Sequence, residues 1–522
     1  MKLDSFTFQT FGSQRQASSA FRNFASRLFL LSQFHALPQP IFSNISRNEI
    51  FRCFTSALIW SAVMLIDRPE NIRSARLLVP LLILSLSISF IIYEWDEFIL
   101  APISHVLPLS DNFLSTPPVD NEATKPTGDV NPENYNQVFS VSTDDRKYFF
   151  VDFVDLASLN PSILPHPSLK ETWIITAQRL DSPEVFHKHP MEFAEITCNA
   201  AFQSGVLRCL ESPSILPVNT IQGDKCEGNH LLLNVNTGPH DARVFYGPES
   251  AFTIYGSNSN FTCFGQFIHN YEALTGWENF TSNANFEIAT ELQRPPPYGK
   301  IEKNWFVFWD RDGAVYAHYD ISPRRSFAKV GLDGSVGEDL ASAAALAGDD
   351  ICMAKYMPRI GPEWESIHQA TNSLSVTLCK RSDVTCEPND TNTFIMAIFQ
   401  HKNFWHFHSV YEPYVVLFGQ SSPFKIHGIS QKPFWIHGRW GPDAIEGDRT
   451  NVHDPAKEET GGGAQRNELG MLYVTSMNWK AAGQKYHGYV DDVVFLGFGI
   501  EDAWSGGIDL AVGDLLMDLG IC

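Results

Sequence analysis

The sequence predicts an all-β domain, for which a β-propeller fits the length best, behind a single N-terminal transmembrane helix. Two observations carry this prediction. Short runs of aromatic and β-branched residues, separated by turn residues, recur from residue 139 to residue 522, as in folds built from many short strands. Nearer the N-terminus, residues 77–93 form an apolar run without a single charge. A sandwich and a barrel are the alternatives for the β domain, because no repeat is legible in the sequence.

The apolar run 77–93, LLVPLLILSLSISFIIY, is near the lower limit of roughly 20 residues for a membrane-spanning helix. Arg73 and Arg76 precede it and three acidic residues follow it, so the positive-inside rule places the N-terminus in the cytosol. This predicts a basic cytosolic tail over residues 1–76 and a type II orientation. A second apolar run, 53–66, is short for a span and is interpreted as a packed or interfacial helix. A buried core helix and an N-terminal transit peptide are the alternatives.

Residues 94–138 are predicted to be a proline-rich stem that holds the β domain, residues 139–522, away from the membrane. Within that domain, HLLLNVN (230–236) is one of the apolar runs that predict strands. The Asp-Gly pair at Asp312–Gly313 lies between two aromatic runs and predicts a β-hairpin. The only helical pattern of note is short and lies at residues 337–347.

Cysteines and glycosylation motifs indicate that the β domain lies in the lumen of the secretory pathway, in the Golgi apparatus or endoplasmic reticulum. Eight of the nine cysteines follow the apolar run, an even number that permits four disulfides, with free buried thiols as the alternative. Cys379 and Cys386 are near enough in sequence to close a small loop. Asn260, Asn279 and Asn389 each begin an N-glycosylation sequon.

The net charge of −21 at pH 7 is unevenly spread: basic residues outnumber acidic ones before residue 77, and nearly all the acidity lies after it. An acidic domain is a poor partner for nucleic acid, because phosphate backbones need a positive surface. No metal site is predicted either. The Asp310–Asp312 triplet stands in a tight turn, where aspartate serves the backbone, and the histidines of HKNFWHFH (401–408) lack tetrahedral spacing.

Polar and charged residues cluster beside strong strand patterns, where the strand ends of a propeller would converge on a central pocket. Asp241 and Arg243 open one such strand, and residues two apart on a strand share a face. The alternatives are a structural salt bridge for Asp241 and Arg243, solvated charges at a strand start for residues 302–305, and a turn with its cap for residues 487–492. The candidate site residues are Asp241, Arg243, Glu302, Lys303, Asn304, Trp305, Arg325, Asn372, His487 and Asp492.

In their order along the chain, these clusters resemble the five-bladed β-propeller carbohydrate enzymes, such as mannoside phosphorylases and fungal β-mannosyltransferase-like proteins. Asp241 and Arg243 match a Glu-Asp-Pro-Arg signature, whose Glu and Pro positions hold His and Ala here. Glu302–Trp305 matches a Glu-Lys-Asn-Trp segment, and His487–Asp492 a His-Gly-Tyr-x-Asp-Asp segment. The resemblance spans residues 140–522 and implies a five-bladed propeller that acts on glycans.

The sequence therefore predicts a membrane-anchored glycosyltransferase that acts on a glycan or polysaccharide, with a nucleotide sugar as donor substrate. A glycoside hydrolase or phosphorylase, and a glycan-binding propeller without activity, are the alternatives, because fold alone does not decide between them. The expected roles follow from charge and shape. Asp241 is expected to be the acid/base, and the catalytic carboxylates Glu302 and Asp492 are expected to orient sugar hydroxyls together with Asn304. Phosphate contacts are expected from Arg243, Lys303 and Arg325, stacking on a sugar from Trp305, and further substrate contacts from Asn372 and His487.

Overall fold

The computed structural model describes residues 132–180, 192–276, 285–361, 365–405, 408–439 and 470–522. The predicted cytosolic tail, the predicted transmembrane helix and the sequon at Asn279 lie outside these ranges. Within these ranges, every helix is too short or too polar to cross a bilayer.

The regular secondary structure of the described residues consists mostly of β-strands, as the sequence predicts. The strands are β1 (Asn136–Val138), β2 (Phe149–Asp152), β3 (Ser158–Pro165), β4 (Trp173–Arg179), β5 (Glu195–Gln203), β6 (Val206–Cys209), β7 (Ser214–Ile215), β8 (His240–Tyr246), β9 (Ala251–Asn258), β10 (Phe264–Asn270), β11 (Thr290–Glu291), β12 (Phe306–Trp309), β13 (Val315–Asp320), β14 (Ser326–Lys329), β15 (Ser366–Gln369), β16 (Leu374–Thr377), β17 (Thr393–Trp405), β18 (His408–Gly419), β19 (Ile426–Ser430), β20 (Phe434–Ile436), β21 (Leu472–Trp479), β22 (His487–Tyr489), β23 (Val493–Ile500), β24 (Trp504–Ala511) and β25 (Leu519–Ile521). The helices are α1 (Tyr271–Thr275), α2 (Ala341–Leu346), α3 (Asp349–Tyr356) and α4 (Val512–Leu515), with a 3₁₀ segment at Gly228–Asn234.

Five groups of antiparallel strands follow one another along the chain, and they are called blades 1 to 5 here. Blade 1 is β3–β6, blade 2 is β8–β11, blade 3 is β12–β14, and blade 4 is β15–β19. Blade 5 contains β21, β23 and β24, and its outer strand is β2 from the beginning of the domain. The N-terminal part of the domain therefore completes the last blade, which closes the order of blades onto itself.

Hydrogen bonds link each blade to the next one, and they lie near the first strands of the blades. Each link has a side chain on at least one side, and the set runs from blade 1 through blade 5 and back to blade 1. Such a closed ring places the blades around a common centre, as in a propeller. In blade order, the linked pairs are Ser162 with Val244, Arg243 with Trp305, Ser373 with Val307, Asn372 with Met477, and Ser476 with Pro161.

The strands form where the sequence places aromatic and β-branched residues, and the core lies between the blades. All eight residues of β9 are buried, because neighbouring blades cover both of its faces. The predicted hairpin is confirmed as β12–β13. In its turn, Asp310 Oδ1 accepts the amides of Asp312 and Ala314, so this carboxylate serves the backbone as the sequence suggests.

All eight cysteines after the apolar run form disulfides, which confirms the prediction of four bridges. The predicted small loop is closed by Cys379 and Cys386. The other bridges are Cys198–Cys209, Cys226–Cys263 and Cys352–Cys522.

Two segments differ from their predicted form. The run 230–236 was expected to be a strand but belongs largely to the 3₁₀ segment Gly228–Asn234. Gly228 has a φ of +58°, and the Asn234 side chain bonds to both backbone groups of Cys226, so local contacts replace a strand ladder. The end of the predicted stem contains β1, which pairs with β20 and so lies in the β domain.

Candidate functional site

A pocket of about 290 Å³ opens where blade 2 begins, beside the chain that leads into blade 3. It brings together residues from blades 2 and 5, the 3₁₀ segment Gly228–Asn234, the segment before blade 3, and the link between β15 and β16 of blade 4. Four of the predicted site residues, Asp241, Arg243, Lys303 and Asn304, line it. The other lining residues are His230, Leu233, His240, Gly256, Phe264, Gln266, Ile301, Ala370, Tyr473 and Thr475.

Asp241 lies at the start of β8 with its side chain exposed to the pocket. Its backbone has a φ of +50°, in the left-handed region that non-glycine residues rarely adopt. Asn160 of β3 donates its side-chain amide to Asp241 Oδ1 at 2.8 Å. The second carboxylate oxygen has no hydrogen bond within the described residues, so it is open to a ligand.

Arg243 follows on the same strand, and its guanidinium is buried against the pocket wall. It donates to the carbonyl oxygens of Ala370, Thr371 and Trp305 and to Gln266 Oε1, all of them neutral acceptors. Burial lowers the pKa of Arg243 to about 10, so the group is still a cation at neutral pH. A buried cation without a carboxylate partner among the described residues is an attractive contact for an anion.

Further positive charge lies beside Arg243. Lys303 is exposed to the pocket, and its ammonium forms neither a hydrogen bond nor an ion pair with the described residues. Burial and the charges of Lys402 and Lys303 lower the pKa of His368 to about 4. Burial and Lys303 likewise lower the pKa of Lys402. These effects indicate that Lys303 and Lys402 form one positive region beside His368, whose ring is uncharged at neutral pH.

A negatively charged residue, Asp502, lies near this region in the turn between β23 and β24. Burial and the negative charge of Asp241 raise the pKa of Asp502, while Lys402 opposes the shift. Asp502 is nevertheless exposed to solvent, so its carboxylate is not part of the core. The rings of Tyr411 and Tyr473 stand 4.6 Å apart in the same surroundings, and burial together with nearby charges, Asp241 among them, raises the pKa of both hydroxyls.

Four of the twelve non-glycine residues with a left-handed backbone in the described part of the chain lie near the same carboxylates. Asn160, Asp241, Asn304 and Asp502 have φ values of +58°, +50°, +64° and +49°. Each left-handed non-glycine residue costs of order 1–3 kcal/mol and persists only when its surroundings impose it. Such residues cluster at ligand-binding and catalytic sites, and these four surround the Asp241 carboxylate or line its pocket.

The structure does not bring the predicted carboxylate Glu302 into the pocket. Glu302 is buried, pairs with Arg294 at 2.9 Å and accepts the amide of Gly299. Arg294 in turn reaches Asp320, so the carboxylate belongs to an ion network beside the site. Its neighbours Lys303 and Asn304 turn into the pocket instead, because the left-handed backbone at Asn304 redirects the chain.

The structure places two other predicted site residues, Trp305 and Arg325, in the core rather than in the pocket. The ring of Trp305 is 1% exposed and packs edge-on against Tyr319, so neither face is free to stack on a sugar. Arg325 is buried within blade 3, where it pairs with Asp349 at 2.8 Å. Trp305 and Arg325 are each closely followed by a buried phenylalanine, Phe306 and Phe327, and lie with it in the core.

The remaining predicted residues make structural contacts away from the pocket lining. Asn372 is buried and bonds to both backbone groups of Met477, which makes it part of the inter-blade ring. His487 meets Thr377 Oγ1 at 2.8 Å across the β16–β22 pair. Asp492 pairs with Arg381 and accepts the Tyr489 amide, as expected of the turn cap that was its alternative interpretation.

The sequence did not identify several residues of the positive region and its carboxylates. Asp502 follows the strand pattern DVVFLGFGI, and Lys402 lies within HKNFWHFH, so strand ends were the available signal. His368, Tyr411 and Tyr473 have no motif around them. They are brought in by blades 4 and 5, which only the closed ring places beside blade 2.

Chemically, the pocket combines one exposed carboxylate with fixed positive charge. Asp241 is able to exchange a proton with a hydroxyl group, and Arg243 and Lys303 are able to neutralise an anion. Among the described residues, no group of three histidine, cysteine, aspartate or glutamate side chains is arranged to hold a metal ion. The described sequons carry exposed or partly exposed asparagines at Asn260 and Asn389.

Comparison with known proteins gave structural neighbours only. No family model and no curated protein matches the sequence. The β-1,2-mannobiose phosphorylase from Listeria innocua is 10% identical, with a TM-score of 0.36, and the match covers 73% of this chain and 96% of that one. An α-L-arabinofuranosidase from Lactobacillus brevis is 10% identical, with a TM-score of 0.34, over 67% of this chain and 90% of its own. A GH43 endo-arabinanase from Bacillus licheniformis is 9% identical, with a TM-score of 0.32, over 69% and 97%.

Proposed function

We propose that this protein is a carbohydrate-active enzyme, a glycosyltransferase that transfers a sugar from a nucleotide sugar to a glycan or polysaccharide. One observation carries the proposal: a single pocket holds the exposed carboxylate Asp241 together with Arg243 and Lys303, two cations without a carboxylate partner among the described residues. The motifs that contain these three residues are also the ones that resemble propeller carbohydrate enzymes.

The positive charge suits a donor whose leaving group is a phosphate. When the bond to the sugar breaks, the nucleoside diphosphate leaves with the electron pair and its negative charge grows. Fixed cations stabilise that change most when they are already in place and shielded from water. Arg243 meets this condition, because four neutral acceptors fix its guanidinium, and Lys303 adds a second, more mobile charge.

Asp241 suits the acceptor side of the same reaction. An acceptor hydroxyl that attacks the anomeric carbon must lose its proton, and a carboxylate within hydrogen-bond reach is able to take it. The Asn160 amide fixes one oxygen of Asp241 and leaves the other open to the pocket. The glycan acceptor would therefore bind with its reacting hydroxyl at that open oxygen.

A hydrolase or phosphorylase is the second candidate, and one observation favours it. Glycosidases use a pair of carboxyl groups, and here Asp502 is electrostatically coupled to Asp241. In that reaction, one carboxyl group protonates the leaving oxygen, while water or phosphate attacks the sugar. The pairs expected from the sequence, Asp241 with Glu302 or with Asp492, are disfavoured because both partners are engaged elsewhere. A glycan-binding propeller without turnover is the third candidate.

We also propose that the β domain faces the lumen of the Golgi apparatus or endoplasmic reticulum behind the transmembrane helix 77–93. The four disulfides support an oxidising compartment, since stable disulfides are rare in the cytosol. Protease protection of intact microsomes, with an epitope at either end, tests the orientation. Cleavage of the C-terminal epitope without detergent would contradict it.

The function is tested by incubating the full-length protein with a panel of nucleotide sugars and oligosaccharide acceptors and measuring product masses. We expect an acceptor to gain one sugar only when one particular donor is present. Loss of sugars from the acceptor with water or phosphate alone would replace the transferase proposal by the hydrolase or phosphorylase. Saturable glycan binding without any turnover would leave the non-catalytic propeller.

A further inference from the structure

The backbone that presents Asp241 is interrupted by a β-bulge. Pairing between β8 and β9 runs from His240 opposite Gly256 to Arg243 opposite Ile254, so the register shifts between the two. The bulge takes the amides of Asp241 and Ala242 out of the regular ladder. The buried amide of Ala242 and the partly buried amide of Asp241 must then find other acceptors, because an unpaired buried donor costs about 1–3 kcal/mol.

Side chains of the neighbouring blade provide those acceptors. Gln178 Oε1 accepts the Asp241 amide at 3.0 Å, and Glu195 Oε1 accepts the Ala242 amide at 3.1 Å. Gln178 and Glu195 are buried and stand directly opposite each other on β4 and β5. With Asn160 on β3, three successive strands of blade 1 hold both the backbone and the carboxylate of Asp241.

The surroundings of Glu195 favour the neutral form of its carboxyl group, which suits this contact. Burial raises the pKa of Glu195 well above its ordinary value, and the charge of Asp241 adds to this, although the Ala242 amide opposes the shift. Its Oε2 is buried and has no hydrogen-bond partner in the structure. A protonated carboxyl group offers its carbonyl oxygen to the amide much as a glutamine would.

We propose that Gln178 and Glu195 are positioning residues that fix the strained backbone of Asp241 and thereby aim its carboxylate into the pocket. The contact has a direct consequence for the reaction: when it is lost, the bulge relaxes and the Asp241 carboxylate moves away from the substrate. A misplacement of about 1 Å is enough to lower the rate about 10²-fold. The inference rests on the proposed role of Asp241 as the reacting carboxylate.

The test compares two substitutions at Glu195 in the full-length protein. Glu195→Gln keeps a neutral acceptor for the Ala242 amide, so we expect kcat and its pH profile to match the wild type. Glu195→Leu removes the acceptor at similar volume, so we expect kcat to fall about 10²-fold with little change in KM. Gln178→Leu should have the same effect, and it provides a second route if Glu195→Leu fails to fold.

The chain offers a matched control on the same two strands. Thr176 and Thr197 stand opposite each other two residues along β4 and β5, and their hydroxyls bond to each other and to Tyr271 rather than to Asp241. Thr197→Val therefore removes a buried hydrogen bond of the same sheet. It should lower the melting temperature and leave kcat unchanged.

Crystal structures of the variants separate this inference from the proposed function. We expect Asp241 to keep its left-handed backbone and its bond to Asn160 in Glu195→Gln, and to lose them in Glu195→Leu and Gln178→Leu. An unmoved Asp241 in both leucine variants would overturn the positioning role, whether or not the enzyme turns over. Equal loss of kcat in Thr197→Val would also overturn it, because the effect would then be one of general stability. If Asp241 moves as expected but the wild type shows no turnover on any donor, the proposed function fails and the positioning contact remains.

Discussion

Arg325 provides a test of whether a predicted substrate-binding residue is structural. Its guanidinium is buried, pairs with Asp349 at 2.8 Å and donates to the carbonyl oxygen of Phe424 at 2.6 Å. The rings of Phe327 and Phe418 lie 4.3 and 4.4 Å from its central carbon. The pair therefore joins blade 3 to α3 and blade 4 inside the core.

The magnitude follows from what each substitution leaves unpaired. Asp349→Ala leaves the Arg325 cation buried without its anion. This should lower the free energy of unfolding by about 4 kcal/mol. It also deprives the Ile426 amide of Asp349 Oδ1, its acceptor at 2.7 Å. Asp349→Asn keeps a neutral oxygen for that amide, so the two variants should differ by about 1–3 kcal/mol.

Urea denaturation of the full-length protein, followed by tryptophan fluorescence, measures these free energies. The double variant Arg325→Met with Asp349→Leu should lose less than the sum of the single variants, because it removes both charges together. The reasoning would be refuted if Arg325→Met raised KM for the donor without lowering stability. That result would return Arg325 to the substrate-binding role expected from the sequence.

Three further predictions address the pocket and the stability of blade 4. Lys303→Met should raise KM for a phosphate-bearing donor by about tenfold at low salt and by less at high salt, because its exposed charge is screened; equal effects at both salt concentrations would speak against a phosphate contact. If the enzyme is a hydrolase or phosphorylase, Asp502→Asn should lower kcat by at least about 10²-fold without lowering the melting temperature, because it removes the second carboxyl group, and unchanged turnover would remove Asp502 from that reaction. Burial opposes protonation of His401, but Glu412 and Glu365 outweigh it and raise its pKa above the ordinary 6.5. The stabilising effect of protonated His401 is therefore complete below pH 6.5 and disappears as the pH rises through the folded-state pKa. His401→Gln should lower the free energy of unfolding most near about pH 5.5 and little near about pH 8. A loss of stability that does not depend on pH would contradict the ion pairs.

The fold was predictable to the extent that it depends on local pattern. The aromatic and β-branched runs at β8, β12 and β23 predict strands, and the Asp-Gly pair predicts the β12–β13 turn. The 3₁₀ segment Gly228–Asn234 was missed, because an apolar run does not reveal that a neighbouring side chain caps the backbone. The closing of blade 5 by β2 joins segments at the two ends of the domain and has no local signal.

The sequence predicted site residues correctly where their side chains line the pocket. It could not show which residues of the same motif are buried in the core. Asp241 and Arg243 line the pocket together as their spacing on one strand suggests. Lys303 and its neighbour Trp305 are equally prominent in sequence, but only the first reaches the pocket, and the second is buried. Asp502 comes from another blade, so its approach to Asp241 depends on the ring rather than on any motif.

The central claim is that the reacting carboxylate is Asp241 in this pocket and not Asp492, which the sequence also suggested. It is tested most directly by measuring kcat of Asp241→Asn and Asp492→Asn in the full-length protein, with the donor and acceptor that the panel identifies. We predict that Asp241→Asn lowers kcat about 10²- to 10⁴-fold at an unchanged melting temperature, the size expected for loss of a general acid/base. Asp492→Asn should weaken the contacts of this turn with Arg381, Tyr489 and Gln484 and keep wild-type kcat. Wild-type turnover in Asp241→Asn, or loss of turnover in Asp492→Asn alone, would contradict the account.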